Sequence, residues 1–487
     1  MFQSTRSTCT VSDTAAVLQG IAPDGGLFVD AGIASRSFDV KSCMGLGYTE
    51  IAKKVFAHLL PEFSEKIPSI VSVYPKKFSA AEITPLRAVG DAYVLELYHG
   101  PTCAFKDVAL SVLPLLITAA KEMEGVKEKI AILTATSGDT GKAALEGFHD
   151  VPGTEITVFF PDGGVSPMQK AQMVTQEGGN VRVCAVRGNF DDCQRGVKEA
   201  FAAFHADPLR CAGRILSSAN SINVGRLIPQ VVYYFSAYSQ LLSAGRISYG
   251  EKADFVVPTG NFGDILAGYL AMLMGLPVGS LICASNANNV LTDFIRTGVY
   301  DRRRPFLKTS SPSMDILVSS NLERLLFYAA EEDTELVASL MHQLNTEGAY
   351  TLSGKPIQHI QEHFLAGCCT EEETRAAIAD LWKEHGWLSD THTAVGFAVA
   401  QKLKGSLDSS RPCVVLSTAS PFKFPSAVLS ALGGTLQEDE FETAANLSAL
   451  TGIPVPASIA GLKEKKVLHT DVIPVAEVVD YALRSVD

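Results

Sequence analysis

Short apolar runs recur along most of the chain, and most of them lead through Gly, Ser or Asn into an amphipathic helical pattern. These runs predict eight buried strands, at residues 92–98, 129–135, 155–160, 180–186, 214–218, 253–258, 280–285 and 412–418. Short apolar strands that alternate with helices are typical of parallel sheets buried on both faces. The pattern therefore predicts an α/β fold with mostly parallel sheets covered by helices.

Both ends of the chain differ from this alternating region. Residues 1–85 contain a GIAPDGGLFV turn and helical patches, and the Ile-Thr-Pro sequence that closes them marks a boundary. A chain of 487 residues is too long for one simple core, which predicts two or three domains. We expect an N-terminal subdomain at 1–85, a central α/β region at 86–430 and a C-terminal extension at 431–487. Within the central region, residues 331–405 look helical and polar.

Charge and composition exclude several classes of function. The chain carries 41 Lys and Arg against 53 Asp and Glu, a net charge of -12, and its only basic tract is Arg302 to Arg304, so nucleic acid is not an expected partner. The N-terminus lacks the apolar segment of a signal peptide, and no run of roughly 18 apolar residues occurs, so no membrane association is expected. Ten cysteines without a CxxC motif indicate reduced thiols, and we expect a cytoplasmic protein.

The stretch TATSGDTGKAALEG at 134–147 places glycines and small hydroxyl residues between a predicted strand and a helix. A nucleotide-binding P-loop needs a glycine separated by four residues from the Gly-Lys pair and a hydroxyl residue directly after the lysine. Thr136 stands in place of that glycine and Ala143 follows the lysine, so the pattern fails at both ends. The loop still offers N–H groups at a helix N-terminus, which predicts an anion site. An ordinary helix start, capped by Ser137 or Asp139, is the alternative.

Lys106 lies in HGPTCAFKDVAL, beyond a predicted strand and a Gly-Pro turn. Ala104, Phe105 and the helix that follows surround it with apolar side chains. Because such surroundings lower the pKa of an amine by desolvation, Lys106 is a candidate nucleophile toward an aldehyde. A solvated lysine on the surface of the helix is the alternative.

A glycine-rich turn and a threonine follow two further strands. In PTGNFGDIL, Gly260 and Gly263 bracket Asn261 and Phe262 directly before a helix. Glycines allow positive φ angles, which we expect at Gly263, and the converging N–H groups and helix dipole suit a phosphate dianion. In VVLSTASPFKF, Thr418 ends a strand, so its hydroxyl would point into the same crevice. Each of these loops taken alone is equally compatible with a turn of no special function.

The chain resembles the threonine synthase family in seven motifs that follow the family's order: STRS, LQGIAPDGGLF, HGPTCAFKD, ATSGDTG, SSANSINVGR, PTGNFGD and LSTASPFKF. This family belongs to the pyridoxal-phosphate enzymes of fold type II, the architecture of tryptophan synthase β chains. The resemblance implies that pyridoxal 5′-phosphate is the cofactor and that residues 1–85 form a family-specific subdomain. It also implies that residues 86–430 contain two sub-domains with the active site between them.

The resemblance further implies roles for individual residues. Lys106 corresponds to the lysine that forms a Schiff base with the cofactor and also acts as a base. The other implied cofactor contacts are Asp139 near the ring hydroxyl, the phosphate loop Gly260, Asn261, Phe262, Gly263 and Asp264, and Thr418 at the pyridine nitrogen. The implied substrate contacts are Ser137, Thr140, Asn220, Ser221 and Arg226.

Two cationic residues, Arg226 and Lys142, bear on the charge of the site. Arg226 would supply bidentate positive charge that a chain of net charge -12 needs locally in order to bind a phosphate. Lys142 stands where many relatives carry a small residue, and we interpret it as a solvated helix lysine. A second phosphate contact is the alternative for Lys142.

The implied reaction converts O-phospho-L-homoserine and water into L-threonine and phosphate, by γ-elimination of phosphate and addition of water at Cβ. A threonine-synthase-like phospho-lyase that releases 2-oxobutyrate, phosphate and ammonia is compatible with the same motifs, because they specify anion and cofactor sites and not the fate of the intermediate. A non-catalytic homologue is disfavoured because every cofactor position is intact. We expect a small-molecule substrate and a monomer or homodimer.

The sequence HIQEH at 359–363 raises a function of another class. Its H-x-x-E-H spacing puts two imidazoles one helical turn apart beside a glutamate, as in some zinc hydrolases. A polar helix face accounts for the same residues, and we expect no metal site.

Overall fold

The computed structural model describes residues 1–207 and 213–484 of the chain. Its strands are β1 (Phe2–Ser4), β2 (Thr10–Val11), β3 (Phe28–Val29), β4 (Leu86–Val89), β5 (Ala92–Glu96), β6 (Lys129–Ala135), β7 (Thr154–Pro161), β8 (Val181–Arg187), β9 (Arg214–Ser218), β10 (Ala253–Pro258), β11 (Val278–Ser285), β12 (Val299–Asp301), β13 (Ala349–Thr351), β14 (Phe364–Cys368), β15 (Cys413–Ser417) and β16 (Asp471–Pro474).

The helices are α1 (Asp13–Gln19), α2 (Tyr48–Leu59), α3 (Ile67–Val71), α4 (Tyr74–Lys77), α5 (Lys106–Leu110), α6 (Leu113–Met123), α7 (Asp139–Phe148), α8 (Pro167–Val174), α9 (Phe190–Ala206), α10 (Val224–Ser243), α11 (Gly263–Leu273), α12 (Val290–Thr297), α13 (Leu322–Ala329), α14 (Thr334–Thr346), α15 (Lys355–His363), α16 (Glu371–His385), α17 (Thr391–Leu403), α18 (Pro425–Ala431), α19 (Glu440–Thr451), α20 (Ala457–Ala460) and α21 (Val478–Leu483). None of these described helices is both long and apolar enough to cross a membrane.

The larger of two main sheets has the strand order β14-β11-β10-β15-β5-β4. All of its pairs are parallel except the edge pair of β4 and β5. In the middle of the sheet, Val256 of β10 aligns with Ile282 of β11 on one side and Val415 of β15 on the other. Every residue of β10 is buried, as expected for a strand with helices on both faces of its sheet.

The second main sheet is wholly parallel and has the order β16-β8-β7-β6-β9. Its middle strand, β7, is buried along its whole length. All eight predicted strands occur in the two sheets, with small shifts at their ends. The predicted fold class, an α/β architecture with mainly parallel sheets and helical layers, is thus confirmed.

The description of residues 331–405 as helical was incomplete. β13 and β14 lie in this stretch, and β14 pairs in parallel with β11 at the edge of the larger sheet. The run FLAGC is short and follows the polar helix α15, so it gives only a weak strand signal. The edge strands β4 and β16 were also missed, since most of their side chains are not buried and they lack an apolar run.

The terminal regions pack onto the central α/β region. Val17 and Phe56 of the N-terminal helices share one hydrophobic core with Leu227 and Tyr234 of α10. At the other end of the chain, β16 extends the second sheet beside β8, and α21 packs on α9. Both terminal regions therefore pack against the α/β region that carries the site, while the domain bounds at residues 85 and 430 stay a prediction.

The connections between the sheets bring four loops to one place. The chain leaves the larger sheet after β5, forms β6 to β9 of the second sheet, and returns to the larger sheet at β10. The loops that follow β5, β6, β10 and β15 start at the carboxyl ends of parallel strands, which is where ligands bind in such sheets.

Close packing of α5 on α7 depends on Gly147. A Cβ atom at this position would lie 2.2 Å from the carbonyl oxygen of Leu110, at the end of α5. We expect Gly147→Ala to lower the free energy of unfolding by about 1–3 kcal/mol, because backbone must move to admit the methyl group. Thermal and denaturant unfolding would measure this loss. Gly405→Ala is the control, since no atom lies within 4 Å of its Cβ position; equal stability of the two variants would contradict the packing argument.

Candidate active site

A cavity of about 810 Å³, counted with its solvent opening, lies at the carboxyl ends of the strands. All thirteen residues that the sequence assigned to the site line this cavity: Lys106, Ser137, Asp139, Thr140, Asn220, Ser221, Arg226, Gly260, Asn261, Phe262, Gly263, Asp264 and Thr418. They come from distant parts of the chain. The structure thus brings the candidate residues together, while the role of each one stays a prediction.

Lys106 is the first residue of α5 and is buried. The loop before it is fixed to the segment that follows β15, because the N–H of Phe105 donates to the carbonyl of Thr418 at 2.8 Å and the N–H of Ser420 donates to that of Cys103 at 3.0 Å. Lys106 Nζ lies 4.5 Å from the centre of the Phe105 ring. The predicted apolar surroundings of this amine are therefore present, and the alternative of a solvated lysine is wrong.

The electrostatics around Lys106 favour the neutral amine. Burial is the largest influence and lowers the pKa of Lys106, and the positive charges of Arg226 and Lys423 lower it further. The carboxylate of Asp139, whose Oδ2 lies 3.4 Å from Lys106 Nζ, acts in the opposite direction. The balance makes the amine a better nucleophile and base at neutral pH than an exposed lysine.

Asp139 begins α7 and is buried in a network of four side chains. Its Oδ1 lies 2.7 Å from Lys423 Nζ and accepts a hydrogen bond from Gln169 Nε2 at 3.0 Å. Its Oδ2 accepts from Ser313 Oγ at 3.2 Å and from Lys106 Nζ. Burial alone would raise the pKa of Asp139, but the charges of the two lysines hold it well below its usual range.

The TSGDTG loop is held in shape by Thr136, whose Oγ1 accepts from the N–H groups of Gly138 and Gly141, each at 2.9 Å. Gly138 has a φ of 137°, a backbone conformation that residues other than glycine rarely adopt. The N-cap residue of α7 is Gly138, which has no side chain, so neither Ser137 nor Asp139 is the N-cap. The alternative of an ordinary capped helix start is therefore wrong.

The PTGNFGD loop differs in one detail from the expectation. Phe262, not Gly263, has the positive φ angle, at 62°. Gly260 is required for another reason, because a Cβ atom there would lie 2.5 Å from the carbonyl oxygen of Ser313. The two glycines of the motif, Gly260 and Gly263, correctly predicted a tight loop at the start of α11. They did not show that Phe262 is the residue with the positive φ angle.

Asp264 lies at the start of α11, in the same loop, and is buried. Its Oδ1 accepts hydrogen bonds from the hydroxyl groups of Tyr233 and Tyr234, while its Oδ2 is buried and has no partner within the described residues. Burial raises the pKa of Asp264 to about 7, against the smaller opposing effect of the two tyrosines. The carboxyl group is therefore substantially protonated at neutral pH.

Arg226 is a buried guanidinium that has no carboxylate partner among the described residues. It donates from Nη1 to the carbonyl of Ala219 at 2.9 Å and from Nη2 to Thr140 Oγ1 at 3.3 Å, and its Nε makes no hydrogen bond there. Burial lowers the pKa of Arg226 to about 10, so the group stays charged. A buried charge without a counterion is unfavourable, and this one lines an open cavity. Such an arrangement suits an anionic ligand.

The structure contradicts the interpretation of Lys142 as a solvated residue. Its side chain is only 12% exposed, and its Nζ lies 3.1 Å from Glu146 Oε2 and also contacts Gln176 Oε1. Lys142 does not line the cavity, so the structure gives no support to a second phosphate contact either. It is a structural lysine that joins α7 to the end of α8.

The HIQEH residues lie on α15 and do not line the cavity. The ligand atoms of His359, Glu362 and His363 come within 4.8 Å of one another, so the spacing does place them on one helix face. His359 Nε2 is 2.7 Å from the hydroxyl of Tyr269, which occupies one of its ring nitrogens. This group is thus separate from the cavity that holds Lys106.

Sequence reasoning missed four polar residues around Asp139: Gln169, Ser313, His392 and Lys423. Ser313 and His392 line the cavity, and His392 Nδ1 lies 3.0 Å from Asp390 while its Nε2 accepts from the N–H of Ser313 at 3.2 Å. Lys423 lies within the quoted motif LSTASPFKF, so its position beside Thr418 was a usable signal.

Comparisons with known proteins agree with this geometry. Family profiles match residues 80–419 as pyridoxal-phosphate-dependent enzyme, 1–70 as threonine synthase N terminus and 393–479 as threonine synthase C-terminal. Threonine synthase of Pseudomonas aeruginosa is 40% identical over 422 residues, which cover 85% of this chain and 86% of that protein. The crystal structure of pyridoxal-phosphate-bound threonine synthase from Brucella melitensis has a TM-score of 0.84 and 37% identity, covering 99% of this chain and 98% of that one.

The chain is also similar in sequence to a longer protein. Threonine synthase-like 1 of Pongo abelii is 41% identical over 438 residues, which cover 86% of this chain and 57% of that protein. The present chain thus spans little more than half the length of this relative.

Two mainly parallel sheets with a buried lysine in the cavity at their strand ends define a pyridoxal-phosphate-dependent enzyme of fold type II. Within this class, the chain belongs to the threonine synthase family, since the N-terminal, central and C-terminal profiles all match and the identity to threonine synthases extends over most of the chain. The resemblance inferred from the seven sequence motifs is confirmed, and so is pyridoxal phosphate as the cofactor.

The raised pKa of Asp264 predicts a specific dependence of stability on pH. Because the folded protein holds this proton up to about pH 7 while the unfolded chain releases it near pH 3.8, the free energy of unfolding should fall as pH rises from 5 to 8. In Asp264→Asn this contribution is absent. We expect the wild type to lose on the order of 2 kcal/mol more than the variant over this range, measured by denaturant unfolding without added cofactor. Parallel pH profiles would show that Asp264 is ionised throughout.

Proposed function

We propose that this protein is a threonine synthase, which converts O-phospho-L-homoserine and water into L-threonine and phosphate. The observation that carries the proposal is Arg226: a buried guanidinium without a carboxylate partner among the described residues, in the same cavity as the buried amine of Lys106. A cavity that combines a reactive amine with an uncompensated cation suits an amino acid that carries a phosphate group.

The residues present in the cavity fit pyridoxal phosphate. The amine of Lys106 is buried and has a lowered pKa, as an amine that condenses with an aldehyde requires. The loop from Gly260 to Asp264 is tightly packed against Ser313 and precedes α11, so its N–H groups and the helix N-terminus are available to the cofactor's phosphate. Thr418 would face the ring nitrogen and Asp139 the ring hydroxyl.

When bound, pyridoxal phosphate supplies an aldehyde that condenses with amines and a ring that spreads the negative charge formed at the carbon atoms of the substrate. The protein must then orient the substrate and move protons. Lys106 Nζ would remove the proton from the substrate's Cα and return protons later, because burial lowers its pKa and thereby favours the neutral amine that acts as a base. In its ammonium form, Lys106 would donate to Asp139 Oδ2, which lies 3.4 Å from its Nζ.

Substrate binding would depend on the two groups of residues that line the rest of the cavity. Ser137 and Thr140, in the TSGDTG loop, are half-buried and suit the substrate carboxylate. Arg226, with Asn220 and Ser221 beside it, would bind the phosphate that leaves. Because Arg226 Nη2 already contacts Thr140, the two anion sites share one edge of the cavity.

The same cavity is compatible with a phospho-lyase, and the fate of the substrate distinguishes the two activities. The purified protein, incubated with O-phospho-L-homoserine and pyridoxal phosphate, should release phosphate and threonine in equal amounts. Chromatography of the amino acids and a dehydrogenase-coupled assay for 2-oxobutyrate would measure the two products. Release of phosphate with 2-oxobutyrate and ammonia in place of threonine would contradict the proposal and identify the lyase.

Lys106 should carry the cofactor. Borohydride treatment of the cofactor-loaded protein should attach the cofactor irreversibly to Lys106, because this amine is buried in the cavity and has a lowered pKa. Peptide mapping by mass spectrometry would locate the modification. Lys106→Ala should keep the fold, judged by circular dichroism, and lose turnover; Lys142→Ala should lose neither cofactor nor turnover, because Lys142 does not line the cavity. Modification of another lysine would contradict the assignment.

Arg226→Ala should lower kcat/KM for O-phospho-L-homoserine roughly 30-fold or more, because truncation of a buried charge-assisted pair costs about 2 kcal/mol or more. Cofactor binding should persist, since the phosphate loop of the cofactor is at 260–264. Inorganic phosphate should inhibit the wild type and compete much less in the variant. Arg303→Ala, which removes the same charge from an exposed residue, is the control. Unchanged kinetics and phosphate inhibition in Arg226→Ala would show that the substrate phosphate binds elsewhere.

A further inference from the structure

Asp139 contacts two lysines, and the proposed reaction uses only one of them. Lys423 is completely buried, and its Nζ lies 2.7 Å from Asp139 Oδ1 and donates to the carbonyl of Thr102 at 3.1 Å. Lys106 Nζ lies further away, 3.4 Å from the other carboxylate oxygen. Unlike Lys106, Lys423 does not line the cavity, so it cannot contact the substrate there.

The charges around this carboxylate do not balance. Two cationic side chains, Lys106 and Lys423, contact the one carboxylate of Asp139, and the positive charge of Arg226 also acts on Lys106. The other charged or titratable groups that act on this set are Asp107 on α5, Asp264 on α11 and His392 on α17. Burial raises the pKa of both carboxyl groups, that of Asp264 to about 7, and Asp107 accepts hydrogen bonds from Thr102, while His392 contacts Asp390 and Ser313. Among the described residues, neither of these carboxyl groups forms an ion pair with Lys106 or Lys423. One negative charge can compensate only one of the two lysines fully.

The geometry decides which lysine is compensated. The shorter contact belongs to Lys423, which has no access to solvent and whose other hydrogen bond, among the described residues, is to the neutral carbonyl group of Thr102. A buried ammonium in this position needs a carboxylate permanently, because water cannot replace it. Lys106 borders an open cavity and can lose its proton to a substrate or to solvent.

We propose that Lys423 is the permanent counterion of Asp139 and thereby leaves the amine of Lys106 uncharged and free to react. Lys423 is then a positioning residue that acts through Asp139 and never contacts the substrate. Without it, Asp139 would pair with Lys106 and hold that amine as an ammonium, which is neither a nucleophile nor a base. This inference rests on the proposed function only in taking Lys106 as the reactive amine.

The reactivity of Lys106 itself tests the inference. The full chain, freed of cofactor and checked for recovery of cofactor binding, is treated with formaldehyde and cyanoborohydride across a range of pH, and methylation of Lys106 is quantified by peptide mass spectrometry. In Lys423→Met, we expect methylation of Lys106 near pH 8 to fall about 10-fold, with its pH profile shifted upward by about one unit, as for an amine that gains an adjacent carboxylate. Methylation of the exposed Lys76 is the internal standard and should not change.

Two further variants separate this role from a merely structural one. Lys423→Arg keeps the charge and should keep the wild-type profile of Lys106. The double variant Asp139→Asn, Lys423→Met removes both members of the pair and should also resemble the wild type, because Lys106 again faces a neutral environment. If Asp139 belongs instead to Lys106, the double variant shifts the profile to lower pH, which overturns the proposal even where Lys423→Met alone does not fold.

An unchanged Lys106 profile in folded Lys423→Met would likewise overturn the proposal. A second readout uses the loaded protein: the pH at which the absorption of the bound cofactor changes should rise in Lys423→Met and stay constant in Lys423→Arg. The methylation experiment involves neither cofactor nor phosphorylated substrate. Failure of the proposed function would therefore appear in the product assay, and failure of this inference would appear in the methylation profiles.

Discussion

The buried charge of Asp139 is the constraint on which the site depends. A carboxylate removed from water is costly unless charges and hydrogen bonds compensate it, and four side chains do so here: Lys106, Gln169, Ser313 and Lys423. Each of the four comes from a different segment of the chain. Once buried, the carboxylate can therefore stay ionised only when the two main sheets, and the loops between them, have reached their final arrangement.

The sheets achieve this arrangement through their parallel topology. β5 and β15 are neighbours in the larger sheet, so the loops that carry Lys106 and Thr418 run side by side and are joined by backbone hydrogen bonds. β6 lies in the second sheet and delivers Asp139 from the opposite side, while α7 packs against α5 at Gly147. The contact between Asp139 and Lys106 is thus a contact between the two sheets, and its length depends on how closely their helices pack.

Much of this could be predicted from the sequence because local patterns carry it. Apolar runs marked eight strands of the two main sheets, and contiguous motifs marked the loops that carry the thirteen assigned residues. The edge strands β4 and β16 have no such run, and β14 is preceded by a polar helix. Ser313, His392 and Lys423 were missed because their role at the site depends on contacts with residues distant in the sequence, which a local pattern does not show. For Lys423 that distant residue is Asp139, which begins α7 directly after β6 of the second sheet.

The same imbalance of charge that makes Lys106 reactive also favours an anionic ligand. The chain as a whole carries a net charge of -12, yet the positive charges of Lys423 and Arg226 both act on Lys106, and Asp139 is the one carboxylate that contacts either lysine among the described residues. If Lys423 takes that carboxylate, Lys106 lowers the remaining positive charge by losing its proton, whereas Arg226 cannot do so at neutral pH. Arg226 is then compensated only by what enters the cavity. The loss of a proton at one end of the cavity and the binding of an anion at the other thus both reduce the same excess of positive charge.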